Sequence, residues 1–225
     1  YQDAIRAARE VGYVNAGTIE FLVNPQEGRY WFVSLNRRLE VEHTVTEELT
    51  NIDLVREQIS IAEGFPLEIP QERVQLLGKA IQARINAEDP SNNFLPQGGE
   101  IIELYLPPGG PGIRMDGILY QGYRIPAQYD SLLVKLTVRG YDWEQALSRL
   151  ESALDSFLIT GPKTTIPFFR ALCNDPNFRA EDMNTSCVRK LDKSFPYPAP
   201  GKMVVNLESF FMELYAAEFF PYGWL

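Results

Sequence analysis

Residues 33–42 read Val-Ser-Leu-Asn-Arg-Arg-Leu-Glu-Val-Glu. Apolar side chains fall at 33, 35, 39 and 41, and polar ones at 34, 36, 38, 40 and 42, with Arg37 as the break. An extended backbone sends alternate side chains to opposite sides, so Ser34, Asn36, Arg38, Glu40 and Glu42 are expected on one face. Carboxylate and amide oxygens are hard ligands, suited to a divalent cation. A guanidinium such as Arg38 grips a planar oxyanion through two parallel hydrogen bonds. A carboxylate such as Glu42 can act as a general base, with a neighbouring Arg and Glu pulling its pKa in opposite directions. The plainer reading of the same residues is a half-exposed strand with a solvated face, in which Arg38 pairs with Glu40 or Glu42.

The flanking elements must hold this stretch in place. Residues 2–12 read as a helix end, with Ala4, Ala7, Ala8 and Val11 on one face and Gly12 as a stop. Residues 17–23 and 29–35 read as the two strands of a hairpin, joined by the turn residues of 24–28. Thr44 and Glu47 are spaced as a capping box opening a helix, and Asp53 is placed to cap a second. Residues 66–71 mark a boundary. Beyond it, strands are expected at 78–87, 100–106, 112–120 and 131–139, and helices at 142–156, capped by Asp142, and at 162–172. The Pro- and Gly-rich loop at 107–112 lacks the residues of a phosphate-binding loop and reads as structural. Strands in runs mixed with helices give an α+β class.

Composition narrows the function. The chain has 225 residues, enough for one or two domains, with 45% hydrophobic and 23% charged residues, as in an ordinary folded protein. Its net charge of -9 argues against nonspecific nucleic-acid binding. No apolar run is long enough to span a bilayer, and no membrane association is expected. Cys173 and Cys187 have no zinc-site spacing, which favours a reducing, cytoplasmic setting. The chain starts at Tyr1 without Met and reads as a fragment. Residues 195–201 look like a linker. Residues 204–220 form an apolar tail suited to packing on a partner or on the rest of the chain.

At Glu42-His43 the stretch becomes specific. The run Asn36-x-Arg38-x-Glu40-Val41-Glu42-His43-Thr44-Val45-Thr46-Glu47 resembles the biotin carboxylase signature, and Gly17-Thr18-Ile19-Glu20-Phe21-Leu22 resembles the strand before it. Downstream, Arg84-Ile85-Asn86-Ala87-Glu88-Asp89-Pro90, Tyr129-Asp130-Ser131-Leu132-Leu133-Val134-Lys135-Leu136 and Gly161-x-Lys163-Thr164 are similar to motifs of that family's C-terminal domain. The His-Thr-Val-Thr-Glu form is like the pyruvate carboxylase branch. The resemblance implies three segments: the C-terminal part of an ATP-grasp domain at 1–72, a biotin carboxylase C-terminal domain at 73–191, and a linker with the tail at 192–225. It implies a ligase that turns ATP and bicarbonate into carboxyphosphate and passes the carboxyl group to biotin on a carrier. It covers only the C-terminal half of such an enzyme, so the isolated chain is expected to be inactive.

The resemblance assigns roles residue by residue. Glu20 and Asn36 would hold Mg2+ or Mn2+ and the phosphates, and Leu22 would line the nucleotide. Arg38, Glu40 and the Val41 backbone would face bicarbonate, Glu42 would be its base, and Arg114 would steady the biotin enolate. His43 is expected to brace its loop, and Lys135 to pair with a carboxylate. Two positions depart from the family pattern. Ser34 replaces a metal-binding Glu, and Glu40 replaces a Gln. A hydroxyl is a poor metal ligand beside a carboxylate, and the Glu40 charge repels an anion. The alternative is therefore a catalytically silent scaffold that keeps the family's assembly surface. A carbamoyl phosphate synthase is disfavoured by the Glu42-His43 and Tyr129-Asp130-Ser131 motifs. Expected partners are a biotin carboxyl carrier, a carboxyltransferase, the missing N-terminal half, and a second copy in a homodimer.

Overall fold

The computed structural model describes residues 2–126 and 128–184. Cys187, the 195–201 linker and the 204–220 tail lie outside the described residues. The described chain divides into two units, 2–77 and 78–184.

The first unit runs α1 (Gln2–Glu10), β1 (Thr18–Asn24), β2 (Arg29–Asn36), α2 (His43–Thr50) and α3 (Leu54–Ala62). The expected hairpin forms, with β1 and β2 antiparallel from Thr18 opposite Asn36 to Asn24 opposite Arg29. The Asn24 side chain accepts from the Gln26 and Glu27 amides, and Gly28 turns the chain at φ +63°. Val11 was expected on the apolar face of α1, but the helix ends at Glu10 and Val11 is exposed.

Two further expectations for this unit are corrected. The strand stops at Asn36, so 37–42 is not extended, and the alternating face does not run on to Glu42. The Thr44–Glu47 capping box is absent, because α2 starts two residues earlier, with Glu42 rather than Thr44 at the N-cap. Thr44 is enclosed within the helix, and Glu47 instead accepts from the Leu54 amide at 2.8 Å. Asp53 caps α3 as expected, accepting from Arg56 N.

The second unit begins with β3 (Lys79–Asn86), β4 (Glu88–Asp89), β5 (Leu95–Pro96), β6 (Gly99–Glu100) and β7 (Glu103–Tyr105). It continues with β8 (Ile113–Gly117), β9 (Arg124–Ile125), β10 (Leu132–Gly140), α4 (Trp143–Ser156), β11 (Leu158–Thr160), α5 (Ile166–Cys173) and α6 (Pro176–Arg179). Its main sheet is antiparallel in the order β3-β10-β8, and the short strands pair as β4-β5, β6-β9 and β7-β11. Residues 100–106 do not form one strand. The Ile101 amide bonds to Tyr123 O and the Ile102 amide to Thr160 O, so the segment changes partner halfway.

Period-two alternation divides the main sheet. Ile81, Ala83, Ile85, Val134, Leu136 and Val138 turn to the core, where they meet Ala146, Leu147, Leu150, Ala153 and Leu154 of α4. Gln82, Arg84, Arg114, Asp116, Lys135 and Thr137 occupy the other face. Asp142 caps α4 as expected by accepting from Gln145 N. The Trp143 indole donates to Phe178 O at 3.0 Å, tying α6 to the same core.

The helix expected from 162 begins only at Ile166. Before it, Gly161 sits at φ +113°, where a Cβ would fall 2.1 Å from the Glu100 carbonyl oxygen. That close approach requires glycine at this position. Leu150 is 1% exposed in the middle of the core. Leu150→Ala should lower unfolding stability by about 2–5 kcal/mol, read as a reduced urea midpoint with an unchanged slope.

Candidate active site

The hairpin brings the two predicted ligands, Glu20 and Asn36, together with Ser34, the position where a ligand is lost. Glu20 stands directly across from Ser34, and Asn36 lies two residues further along the same side of β2. Asn36 Nδ2 donates to Glu20 Oε1 at 2.7 Å, which orients both side chains. The register then slips between Glu20 and Phe21, so that Phe21 faces Phe32 and Val33 is the extra residue. Without that bulge, Phe32 would share a face with Ser34. With it, Phe32 and Tyr30 join Phe21 in edge-on ring contacts at 6.2 and 5.6 Å. Leu22 follows Glu20 by two residues on β1, opposite Trp31, and is exposed.

Arg38, Glu40, Val41 and Glu42 come after the strand, in the connection to α2. Arg38 Nη2 lies 3.0 Å from Glu40 Oε1, an ion pair between an exposed guanidinium and a half-buried carboxylate. That oxygen has no hydrogen-bond partner, so the contact is Coulombic and not a fork. The arginine predicted to hold an anion thus faces the carboxylate that replaces the family's glutamine. Glu42 is buried at the first turn of α2, 5% exposed. The His43 ring braces this connection, with Nδ1 2.7 Å from Glu40 O. A carbonyl only accepts, so Nδ1 carries the proton.

Arg114 belongs to the second unit, on β8 opposite Thr137. Asp116 holds its guanidinium in a two-bond fork, Nε to Oδ2 at 2.7 Å and Nη2 to Oδ1 at 2.9 Å. The sequence reading did not single out Asp116. Its signal was the spacing, since two residues along one strand share a face. Lys135, expected to pair with a carboxylate, stands directly across from Asp116.

The remaining motifs meet in the second unit. Lys163 Nζ bonds Asp89 Oδ2 at 2.5 Å, joining the Gly161 motif to the Asp89-Pro90 turn. Burial pushes the Asp89 carboxyl up, but the bonds from Lys163 and Ser91 outweigh it and hold it below its ordinary value. Thr165 accepts from Asn86 N and donates to Arg84 O. Cys173 is a free, buried thiol pushed up to about 12 by burial, and is therefore inert. Among the described residues, no group of three or more His, Cys, Asp or Glu side chains converges as a metal cluster, and no helix is long and apolar enough to cross a membrane.

A hairpin carrying a carboxylate, a hydroxyl and an amide on one face leads through an Arg-x-x-x-Glu connection to two helices, and an antiparallel domain follows; similarity to known proteins identifies this arrangement as the C-terminal part of an ATP-grasp-type fold. Residues 1–70 match the family model described as the carbamoyl-phosphate synthase L chain, ATP binding domain, and residues 82–190 match the biotin carboxylase C-terminal domain. Biotin carboxylase 1 of Bacillus subtilis is 46% identical over 189 residues, covering 84% of this chain and 42% of that protein. A pyruvate carboxylase subunit of Methanothermobacter thermautotrophicus is 39% identical over 218 residues, covering 97% of this chain and 43% of that one. The crystallised biotin carboxylase domain dimer of Hydrogenobacter thermophilus 2-oxoglutarate carboxylase, in complex with MgADP, ADP and bicarbonate, superimposes with a TM-score of 0.82 at 41% identity. That superposition covers 87% of this chain and 43% of that one. The chain belongs to the biotin carboxylase family, a family of enzymes, and matches the C-terminal part of its members. It spans less than half the length of the relatives it matches.

Glu47 fixes the angle between α2 and α3 through its bond to Leu54 N. Glu47→Ala should cost about 1–2 kcal/mol, as loss of a capping acceptor does, and Glu47→Gln should restore most of it, both read by urea unfolding.

Proposed function

We propose that this chain supplies the C-terminal half of a biotin carboxylase site, which carboxylates carrier-bound biotin using ATP and bicarbonate. The observation that carries this reading is the Asn36–Glu20 hydrogen bond on the face that also holds Ser34. It sets hard oxygen donors side by side, as a Mg2+ or Mn2+ ion bound to nucleotide phosphates requires. The donor set fits such a cation but carries one negative charge, because Ser34 brings a neutral hydroxyl. When bound, the metal neutralises phosphate charge during transfer. Glu20 and Asn36 would hold it, and Leu22 would give the nucleotide an apolar contact.

Arg38 and the Val41 amide would orient bicarbonate, and Glu42 would take its proton as an oxygen attacks the γ-phosphorus, giving carboxyphosphate and ADP. Arg114, kept in one orientation by Asp116, would hold the negative charge that forms on biotin as its ureido nitrogen loses a proton. The whole reaction requires the N-terminal half of the enzyme, a biotin carboxyl carrier and a carboxyltransferase, and we place the assembly in the cytoplasm. A homodimer fits the dimeric relative, and a single species of monomer mass in sedimentation would contradict it.

A second reading has its own support. The Glu40 carboxylate faces Arg38 at the position meant for an anion, as expected in a scaffold that no longer binds bicarbonate.

Bicarbonate-dependent ATP hydrolysis with free biotin separates the two. The chain should be inactive alone. Joined to the N-terminal half of a working carboxylase, it should show weak turnover that rises at least tenfold in the Ser34→Glu, Glu40→Gln double variant. A folded joined protein with no turnover in any form would establish the scaffold.

A further inference from the structure

Three residues from the C-terminal motifs form a cluster within the second unit. Asn86 closes β3, Glu88 opens β4, and Ser131 immediately precedes β10. Asn86 Nδ2 donates to Glu88 Oε1 at 3.0 Å, and the Ser131 hydroxyl donates to the same oxygen at 2.5 Å. Asn86 Nδ2 also lies 3.1 Å from Ser131 Oγ. All of this bonding falls on one oxygen of the carboxylate. The other, Glu88 Oε2, is enclosed and has no hydrogen-bond partner, and the same is true of Asn86 Oδ1. Glu88 is 1% exposed and Asn86 7%.

Two enclosed acceptors without donors, one of them half of a carboxylate, are unfavourable if Glu88 is ionised. Neither of the bonds to Glu88 comes from a cation. The nearby charges do not help. Asp130, beside Ser131, is of like sign, and Asp89 is taken by Lys163. Arg84 lies on β3 two residues before Asn86, and Thr165 from the start of α5 is neutral and bonds the Asn86 backbone. One proton on Oε2 relieves the site, since it removes the buried charge and supplies a donor where two acceptors lack one.

We propose that Glu88 is held as a neutral carboxylic acid and serves as a proton-operated latch between the end of β3 and the segment entering β10. Closed, the latch supports the bond from Ala87 N to Ser131 O, 2.8 Å long, which joins the same two segments. Ionisation places an uncompensated charge inside and loosens it. The titration behaviour agrees with the geometry. Burial raises the Glu88 carboxyl above its ordinary value of 4.5, the bonds from Ser131 and Asn86 oppose the rise, Asp130 adds to it, and the result is upward.

The sign of the pH dependence follows. A carboxyl that keeps its proton more tightly when folded makes the folded state lose stability as pH rises from the unfolded carboxylate value through the folded one. The loss then levels off.

The test uses the full chain. Carbon-13 NMR of the labelled glutamate carboxyls should show Glu88 titrating above the exposed glutamates. Amide hydrogen exchange at Ala87, divided at each pH by the intrinsic base-catalysed rate, should show protection falling across that titration in the wild type but staying level in Glu88→Gln, whose amide mimics the neutral acid. Unfolding measured from pH 4 to 8 should show Glu88→Gln gaining on the wild type as pH rises. A Glu88 carboxyl that titrates at or below the exposed glutamates, in the unaltered protein, would overturn the proposal whether or not the variant folds.

Discussion

One inserted residue, Val33, decides which side chains share each face of the β1–β2 hairpin. Upstream of the slip, Glu20 lies opposite Ser34, with Asn36 diagonal to it and bonded at 2.7 Å. Beyond it, Phe21, Tyr30 and Phe32 gather in edge-on ring contacts on the opposite side. An unbulged register would put Phe32 on the face of Ser34, where the slip instead places Trp31, opposite Leu22. The Arg38–Glu42 connection inherits its position from the end of the same strand, so one register error would displace every proposed ligand in the first unit.

The second unit is ordered by the two-sidedness of its sheet. The apolar face of β3 and β10 is sealed by α4, which frees the opposite face to carry Arg114, Asp116, Lys135 and Thr137. Arg114 is fixed by its fork to Asp116, a geometry that a lysine could not reproduce. The motifs at Asn86–Asp89, Ser131 and Lys163 form a polar network within that unit.

Much of this was legible in the sequence, for identifiable reasons. The hairpin announced itself through alternation on both sides of an Asn-to-Gly turn, and Asp53 and Asp142 marked helix starts through their own side-chain caps. The bulge was not legible, because Tyr30, Trp31, Phe32 and Val33 form an unbroken apolar run in which no one residue stands out. The extra residue is defined only by what β1 places opposite it. The strand's end at Asn36 was masked by the same alternation, which runs on past Arg37 into residues that do not pair. The capping box failed because Glu42 took the N-cap position and Glu47 found a nonlocal donor in Leu54. The Glu88 cluster joins residues 43 apart in sequence, and no local pattern reports such a meeting. The chemistry of Ser34 and Glu40 was visible as a departure from the family. The structure adds that Glu40 lies against Arg38, the residue it was expected to affect.

The central claim is that the hairpin register builds a cation-binding row from Glu20, Ser34 and Asn36. Paramagnetic broadening by Mn2+ in the NMR spectrum of the full chain tests it most directly. The account predicts broadening centred on residues 20, 34 and 36, appearing at a lower Mn2+ concentration in Ser34→Glu and abolished in Glu20→Ala. Broadening centred elsewhere, or insensitive to both substitutions, would contradict it.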